Sequence, residues 1–121
     1  MRNIRMTIDK ERKKEIINEY KQRKTTGGVY KITNTVNGKY ILKAEVDLQS
    51  FQNRFNFSMR INSCLHPKMQ KDFNEFGAEA FVLEFLEEVE KKENESMMGF
   101  RDRLKKLEEA WMEKYDREKA Y

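Results

Sequence analysis

Cysteine, histidine and proline are nearly missing from this 121-residue chain, which holds one of each. A single cysteine, Cys64, cannot form an internal disulfide, and this favours a cytoplasmic protein. One cysteine and one histidine also cannot supply the four nitrogen and sulfur ligands of a structural zinc site. Disulfide-stabilised secreted domains and zinc-binding folds are therefore not expected.

Other signals are missing as well. No run approaches the roughly 18 apolar residues of a membrane span, and we expect no membrane partner. The basic start, residues 1–5, has no apolar segment behind it, so no secretory signal is predicted. The sequence Thr26-Gly27-Gly28 precedes a strand and not a helix, which excludes a phosphate-binding loop. A serine protease triad has no motif here.

Charge is abundant and unevenly distributed. Charged residues make up 38% of the chain and hydrophobic residues 38%, which indicates one small domain with a modest core. Basic minus acidic residues give 9 − 4 = +5 for 1–24, 7 − 4 = +3 for 25–76 and 9 − 13 = −4 for 77–121. A basic first half attracts polyanions, and nucleic acid is the commonest. A pI near 9 is also common among small soluble proteins, so charge alone leaves this open.

The pattern between Gly28 and Leu42 predicts a β-hairpin. Strand-forming residues lie on both sides of Asn37-Gly38, a pair that tolerates the positive φ angles of a type I′ turn. Tyr30 and Tyr40 fall on the two neighbouring strands, and their phenols could converge on one face. The alternative is a core hairpin with both rings packed inside.

Helices and a third strand are predicted after the hairpin. Asp47 is a candidate N-cap for a helix with an apolar face from Leu48 to Met59. His66-Pro67 starts another helix, which Gly77 ends. A buried strand is expected over 80–86, a loop or frayed helix over 87–95, and the strongest helix over 97–115. The fold class is therefore α/β, a small three-stranded sheet flanked by helices.

A helix is also predicted over 7–24. Its apolar content is thin and its charges are of both signs, which is typical of a surface helix or one that meets a partner. We divide the chain into a basic N-terminal helix extension, 1–26, and a main domain, 27–121. The extension is expected to add nucleic-acid affinity or to form a homodimer contact.

Gly28-Val29-Tyr30, the link Asn-Thr-Val-Asn-Gly-Lys over 34–39 and Tyr40-Ile41 resemble the signature of the GIY-YIG nuclease family. The run Asn-Glu-Phe-Gly-Ala-Glu-Ala-Phe over 74–81 and the strand ending in Leu-Glu-Glu also resemble that family. The resemblance covers roughly residues 27–116. Leu42 stands where the family keeps glycine, and no asparagine follows the last helix.

The resemblance implies a divalent-metal nuclease and assigns roles to four residues. Glu108, three residues before Trp111, would bind one Mg²⁺ or Mn²⁺. Tyr30 would act as general base with a lowered pKa, and Tyr40 would position water or contact the phosphate. Arg54 would neutralise charge in the transition state, although it lies four residues later than the family spacing. A surface arginine that pairs with an aspartate is the alternative.

Helical geometry separates the two adjacent glutamates of the last helix. Glu108 stacks over Leu104 at the edge of the apolar stripe, whereas Glu109 points away from it into solvent. A carboxylate at the border of the core can reach a pocket, and one on the far face cannot. Without the family resemblance, Glu108 would be an ordinary surface carboxylate.

Several basic residues are candidates for nucleic-acid contacts. His66, the only histidine, could serve as a base or a phosphate contact, or could cap a helix. The full set of predicted contacts is Lys31, Lys39, Lys43, His66 and Lys68.

The sequence thus predicts a metal-dependent endonuclease that cuts nucleic acid, with DNA favoured over RNA. The alternative is a degenerate nuclease domain that acts as a non-catalytic nucleic-acid-binding or regulatory module. A third interpretation is an interaction protein that uses its charged first helix.

Overall fold

The computed structural model describes residues 25–121. The predicted helix over 7–24 and the homodimer contact assigned to it lie outside these residues. The secondary structure elements are β1 (Thr26–Asn34), β2 (Tyr40–Glu45), α1 (Leu48–Arg60), α2 (Gln70–Phe76), β3 (Phe81–Glu90) and α3 (Met97–Met112), with short 3₁₀ turns at Pro67–Met69, Ala78–Ala80 and Arg117–Lys119. Within the described part of the chain, no helix is both long and apolar enough to cross a bilayer.

The three strands form one antiparallel sheet in the order β2-β1-β3, so β2 and β3 are its edges. Side chains alternate between the two faces of a strand. Tyr30 and Ile32 therefore pack against α1 and α2 on one face, in a core that contains Phe51, Met69 and other apolar residues. Val29 packs on the other face, against the side chains of α3. Helices on both faces of a three-stranded sheet confirm the predicted α/β class.

Gly28 is required by a close approach between β1 and β3. The register shifts between Val29 and Tyr30, because Val29 pairs with Glu87 whereas Tyr30 pairs with Phe85. Next to this bulge, a Cβ atom on residue 28 would overlap the backbone carbonyl of Glu87. The first glycine of the signature is therefore fixed by strand packing.

The hairpin turn differs from the prediction. The Asn34 N–H donates to the Lys39 carbonyl, so four residues, 35–38, connect the strands instead of two. Gly38 has a φ of 75°, but Asn37 is not in the left-handed region. The prediction of a type I′ turn is therefore wrong, since that turn needs a positive φ at both central residues. The Asn37 side chain instead accepts from the Lys39 N–H and donates to Asp72, which holds the longer loop.

Two element boundaries also differ. The third strand continues to Glu90, where a loop or frayed helix was expected, because residues up to Glu90 pair with β1. The last helix ends at Met112, three residues before the predicted end, and the Tyr115 ring packs beside Tyr40 instead. The predicted Asp47 N-cap is confirmed, since its carboxylate accepts from the Ser50 N–H.

Candidate active site

Tyr30 is buried where β1 meets α1 and the turn before α2. Its residue is 2% exposed, and its ring stacks on Phe51 with the centroids 4.0 Å apart. Its hydroxyl lies 3.0 Å from Nε2 of His66. The phenol is therefore oriented by one ring contact and one hydrogen bond, contributed by segments far apart in the sequence.

Burial, above all, raises the pKa of the Tyr30 phenol, and the carboxylates of Glu45 and Glu108 raise it further, whereas the Arg54 guanidinium lowers it. The expected lowering of this pKa is thus not present in the protein alone. Glu45, Arg54 and Glu108 are thus the charged groups that act on the phenol.

His66 is half-buried and precedes the 3₁₀ turn Pro67–Met69. Burial lowers its pKa, and the charges of Lys43 and Arg54 lower it further. The ring is therefore neutral at neutral pH and has one nitrogen free to accept a proton. The predicted capping role is not seen, because its side chain makes no cap hydrogen bond. Its carbonyl accepts from the Cys64 thiol at 3.1 Å.

Glu108 reaches from α3 to the outer edge of β2. Its Oε1 accepts a hydrogen bond from the Ala44 N–H at 2.7 Å. The side chain is half-buried, whereas Glu109 is exposed, as the helical-face argument predicted. Glu108 also lines an open pocket of about 310 Å³, the Glu108 pocket, together with Ala44, Glu45, Val46, Arg101, Leu104 and Lys105.

Arg54 projects from α1 toward the same end of the sheet. Its Nη2 lies 3.3 Å from Glu45 Oε2, and its guanidinium lies 5.5 Å from the Phe51 ring centroid. The carboxylate that pairs with Arg54 belongs to Glu45 of β2, and not to an aspartate as in the alternative interpretation. This side chain is 60% exposed, so the ion pair contributes little to stability and leaves the guanidinium accessible.

The donors of the Glu108 pocket fit a hard divalent cation. Glu45 and Glu108 supply carboxylate oxygens, and Mg²⁺ is commonly bound by one or two carboxylates, several waters and substrate phosphates. No group of three or more potential metal-binding side chains occurs among residues 25–121. A cation here would therefore take most of its ligands from water and phosphate.

The expectation that Tyr30 and Tyr40 share one face is wrong. Tyr30 pairs with Lys43 and Thr33 pairs with Tyr40, which puts the two tyrosines on opposite faces. Tyr40 is 2% exposed, and its hydroxyl donates to the Asp116 carbonyl at 3.1 Å. It packs beside Tyr115 under α3 and holds the end of the chain against the sheet.

Leu42 also faces away from Tyr30. Its side chain is buried with Val29 and Tyr40 on the α3 face. The leucine therefore fills a core and does not crowd the surface near Tyr30. The residue directly across the strand from Tyr30 is Lys43.

The predicted nucleic-acid contacts lie at three separate places. Lys43, His66 and Lys68 line one pocket at the edge of β2. Lys31 instead lies on the opposite face, with its ammonium 4.1 Å from the Tyr115 ring centroid and 3.7 Å from a Glu84 oxygen. Lys39 lies at the hairpin end, 5.8 Å from the Tyr121 ring centroid.

Three residues of the site were missed by the sequence analysis. Arg101 and Lys105 precede Glu108 by seven and three positions, which is the spacing of one helix face and could have identified them. Glu45 had no local signal, because its importance depends on Arg54 and Glu108 coming together.

Among solved structures, the chain is similar to the catalytic domain of homing endonuclease I-TevI, with 23% identity, a TM-score of 0.57 and coverage of 78% of this chain and 95% of that one. It is also similar to a mutant of the catalytic domain of intron endonuclease I-TevI, with 22% identity, a TM-score of 0.53 and coverage of 74% and 84%. No protein-family model and no curated protein matches the sequence. I-TevI is a GIY-YIG endonuclease, so the resemblance read from the sequence is confirmed at the level of the fold.

Proposed function

We propose that the protein is a metal-dependent endonuclease that hydrolyses phosphodiester bonds at the outer edge of β2. The observation that carries this proposal is that Arg54 and Glu108 meet at Glu45: Arg54 Nη2 lies 3.3 Å from Glu45 Oε2, and Glu45 and Glu108 line one pocket. The charges of all three act on the Tyr30 phenol. These four residues come from four different elements, and they include three of the four residues to which the family resemblance assigned a role. The likeness to a homing endonuclease makes DNA the first substrate to test.

Proton transfer is assigned to Tyr30 and His66 together. A phenol with a raised pKa is a poor base by itself, but its hydroxyl can pass a proton to the neutral His66 while it accepts one from the attacking water. The water becomes the nucleophile and His66 becomes an imidazolium. Tyr40 has no part in this scheme, because it lies on the other face.

The remaining roles are electrostatic. Arg54 is accessible and would neutralise charge on the phosphate in the transition state. Glu108, assisted by Glu45, would hold the divalent cation. When bound, that cation polarises a phosphate oxygen and stabilises the leaving oxygen.

A second candidate function is a nucleic-acid-binding domain that does not cut. It is favoured by the burial of Tyr30, which is 2% exposed, and by the position of Tyr40 on the opposite face of the sheet. Such a domain would bind nucleic acid through the basic edge of β2 but would not hydrolyse it.

One experiment separates the two candidates. The protein is incubated with plasmid DNA, and separately with single-stranded and structured RNA, in the presence of Mg²⁺, Mn²⁺ or chelator. An enzyme cuts with metal and not with chelator. Salt-dependent binding without cutting under any metal would establish the binding domain, and absence of both at low salt would exclude both candidates.

A further inference from the structure

A second pocket, of about 450 Å³, lies on the same strand: residues 40–43 line it, and residues 44–46 line the Glu108 pocket. We call it the Leu42 pocket. Its lining includes both apolar and basic residues. Its lining residues include Ile41, Leu42, Lys43, His66, Pro67, Lys68 and Met112.

The edge of β2 is blocked on both sides of this pocket. At one end the Tyr121 N–H donates to the Tyr40 carbonyl at 2.9 Å, in a bridge that pairs Tyr40 with Ala120. At the other end Glu108 accepts from the Ala44 N–H. These two bonds show that the backbone groups of residues 40 and 44 point away from β1.

Leu42 lies between the blocked residues and has the same orientation. In an antiparallel strand the N–H and C=O of alternate residues point to the same side. The Leu42 N–H and C=O therefore point outward, and no other residue of the described chain caps them as Tyr121 and Glu108 cap their neighbours. One donor and one acceptor thus stand side by side in the floor of the pocket.

We propose, on the basis of the nuclease-type function above, that the Leu42 pocket receives one unpaired nucleobase. The Leu42 N–H and C=O bind the Watson–Crick edge of that base, and Lys43 and Lys68 contact the flanking phosphates. Every base carries a neighbouring donor and acceptor on this edge, so the pocket does not select a sequence. The edge is free only when the base is unpaired.

The charges and the position of the pocket fit this ligand. Lys43 and Lys68 are exposed cations at the rim, whereas Ile41, Pro67 and Met112 offer apolar surface to the faces of a base. His66 lines the pocket and also contacts the Tyr30 hydroxyl, so the bound nucleotide lies next to the proposed chemistry. The neighbouring phosphate on the strand would then approach the Glu108 pocket.

A peptide strand is a poorer occupant. Strand addition needs a row of free backbone groups. Here both outward groups of Leu42 are open, whereas the Tyr40 carbonyl and the Ala44 N–H on either side are already bonded. The opening therefore suits a compact planar group with one donor and one acceptor.

The first test is a titration of the full chain, labelled with ¹⁵N, with adenosine 5′-monophosphate. We expect the Leu42 amide resonance to shift and the amide of Gly99, in the first turn of α3, to stay. Ribose 5-phosphate, which lacks the base, is expected to leave Leu42 unmoved. Equal shifts of Leu42 with both ligands, or no shift with either, would overturn the base pocket.

A matched pair of variants tests the phosphate contact. Lys68 lines the pocket and Lys71 does not, and both are exposed. Lys68→Glu should weaken binding of the monophosphate several-fold, whereas Lys71→Glu should leave it near the wild-type value. Equal weakening by both variants would mean that the net charge of the protein, and not a contact from Lys68, determines the affinity.

The second test separates this inference from the proposed function. Anisotropy measurements compare a fluorescent DNA duplex, the same duplex with a one-nucleotide bulge, and one with an abasic bulge. We expect the bulged duplex to bind roughly tenfold more tightly than the other two, the scale of one stacked base. Equal binding of all three overturns the pocket and leaves the function standing, whereas no binding at low salt overturns both.

Discussion

The hydroxyl of Tyr30 and Nε2 of His66 lie 3.0 Å apart and join strand β1 to the turn that begins α2. The two residues are 36 positions apart in the chain. Both rings lie near Phe51, with Tyr30 stacked directly on it. This contact places the only histidine against a buried phenol. The protonation state of His66 therefore determines whether its Nε2 can accept a proton from Tyr30.

The first prediction concerns stability and pH. The pKa of His66 is lowered in the folded protein, so between that value and its ordinary value of about 6.5 the unfolded chain binds more protons than the folded one. Stability should therefore fall as the pH is lowered from about 7 to about 5. Urea unfolding midpoints at several pH values measure this.

His66→Gln is the control for that experiment. His66 is the only histidine in the chain, so this variant should lose the part of the pH dependence that lies below the ordinary histidine pKa of about 6.5. The carboxyls of Asp72 and Glu95 have lowered pKa values and titrate below this window in both proteins. An unchanged pH profile in the variant would contradict the assignment to His66.

The second prediction uses two tyrosine-to-phenylalanine changes. Tyr30→Phe keeps the ring on Phe51 and removes the hydroxyl, so it should abolish DNA cutting while stability changes by about 1 kcal/mol. Tyr40→Phe removes the bond to the Asp116 carbonyl on the opposite face and should leave the cutting rate within about twofold of wild type. Rates of plasmid nicking and thermal unfolding are measured for each. Equal loss of cutting from both changes would show that Tyr40 also takes part in the reaction.

The third prediction concerns the two adjacent glutamates. Glu108→Gln keeps an oxygen that can accept from the Ala44 N–H but removes the charge, so the fold should remain and metal-dependent cutting should fall by at least about 100-fold. Glu109→Gln changes an exposed side chain and should do little. Circular dichroism checks the fold of both. Comparable losses would mean that the helix does not separate the two carboxylates as described.

The fourth prediction concerns residues 1–24, which carry a charge of 9 − 4 = +5. Residues 25–121 already form a sheet with both faces covered, so deletion of the first 24 residues should leave a folded domain. The truncated chain should bind DNA more weakly, with a smaller dependence of log affinity on log salt concentration, because fewer counterions are released. Failure of the truncated chain to fold would show that these residues belong to the core.

Local patterns in the sequence determined the elements. Helix faces follow from a period near 3.6 residues, and α1 begins at the predicted cap because Asp47 binds a backbone N–H three residues ahead. The hairpin strands follow from their composition. The end of α3 was misplaced because the Tyr115 ring continues the helical spacing but packs against Tyr40 from outside the helix.

The sequence was also sufficient to predict which face of the sheet each of the two tyrosines occupies. The two-residue turn expected at Asn37-Gly38 and the four-residue loop observed both pair even-numbered residues with odd-numbered ones. Either connection puts Tyr30 and Tyr40 on opposite faces, since side chains alternate along a strand. The expected convergence of the phenols was therefore inconsistent with the turn predicted for them.

The tertiary structure alone decided how distant segments meet. Glu108 reaches the Ala44 backbone 64 residues away, and Tyr121 reaches the carbonyl of Tyr40 across the same strand edge. No local pattern encodes such contacts, because they depend on how α3 and the end of the chain pack against the sheet. Their combined effect is to cap β2 on both sides of Leu42, so the local sequence specifies the strand and the packing of its neighbours determines which part of its edge stays open.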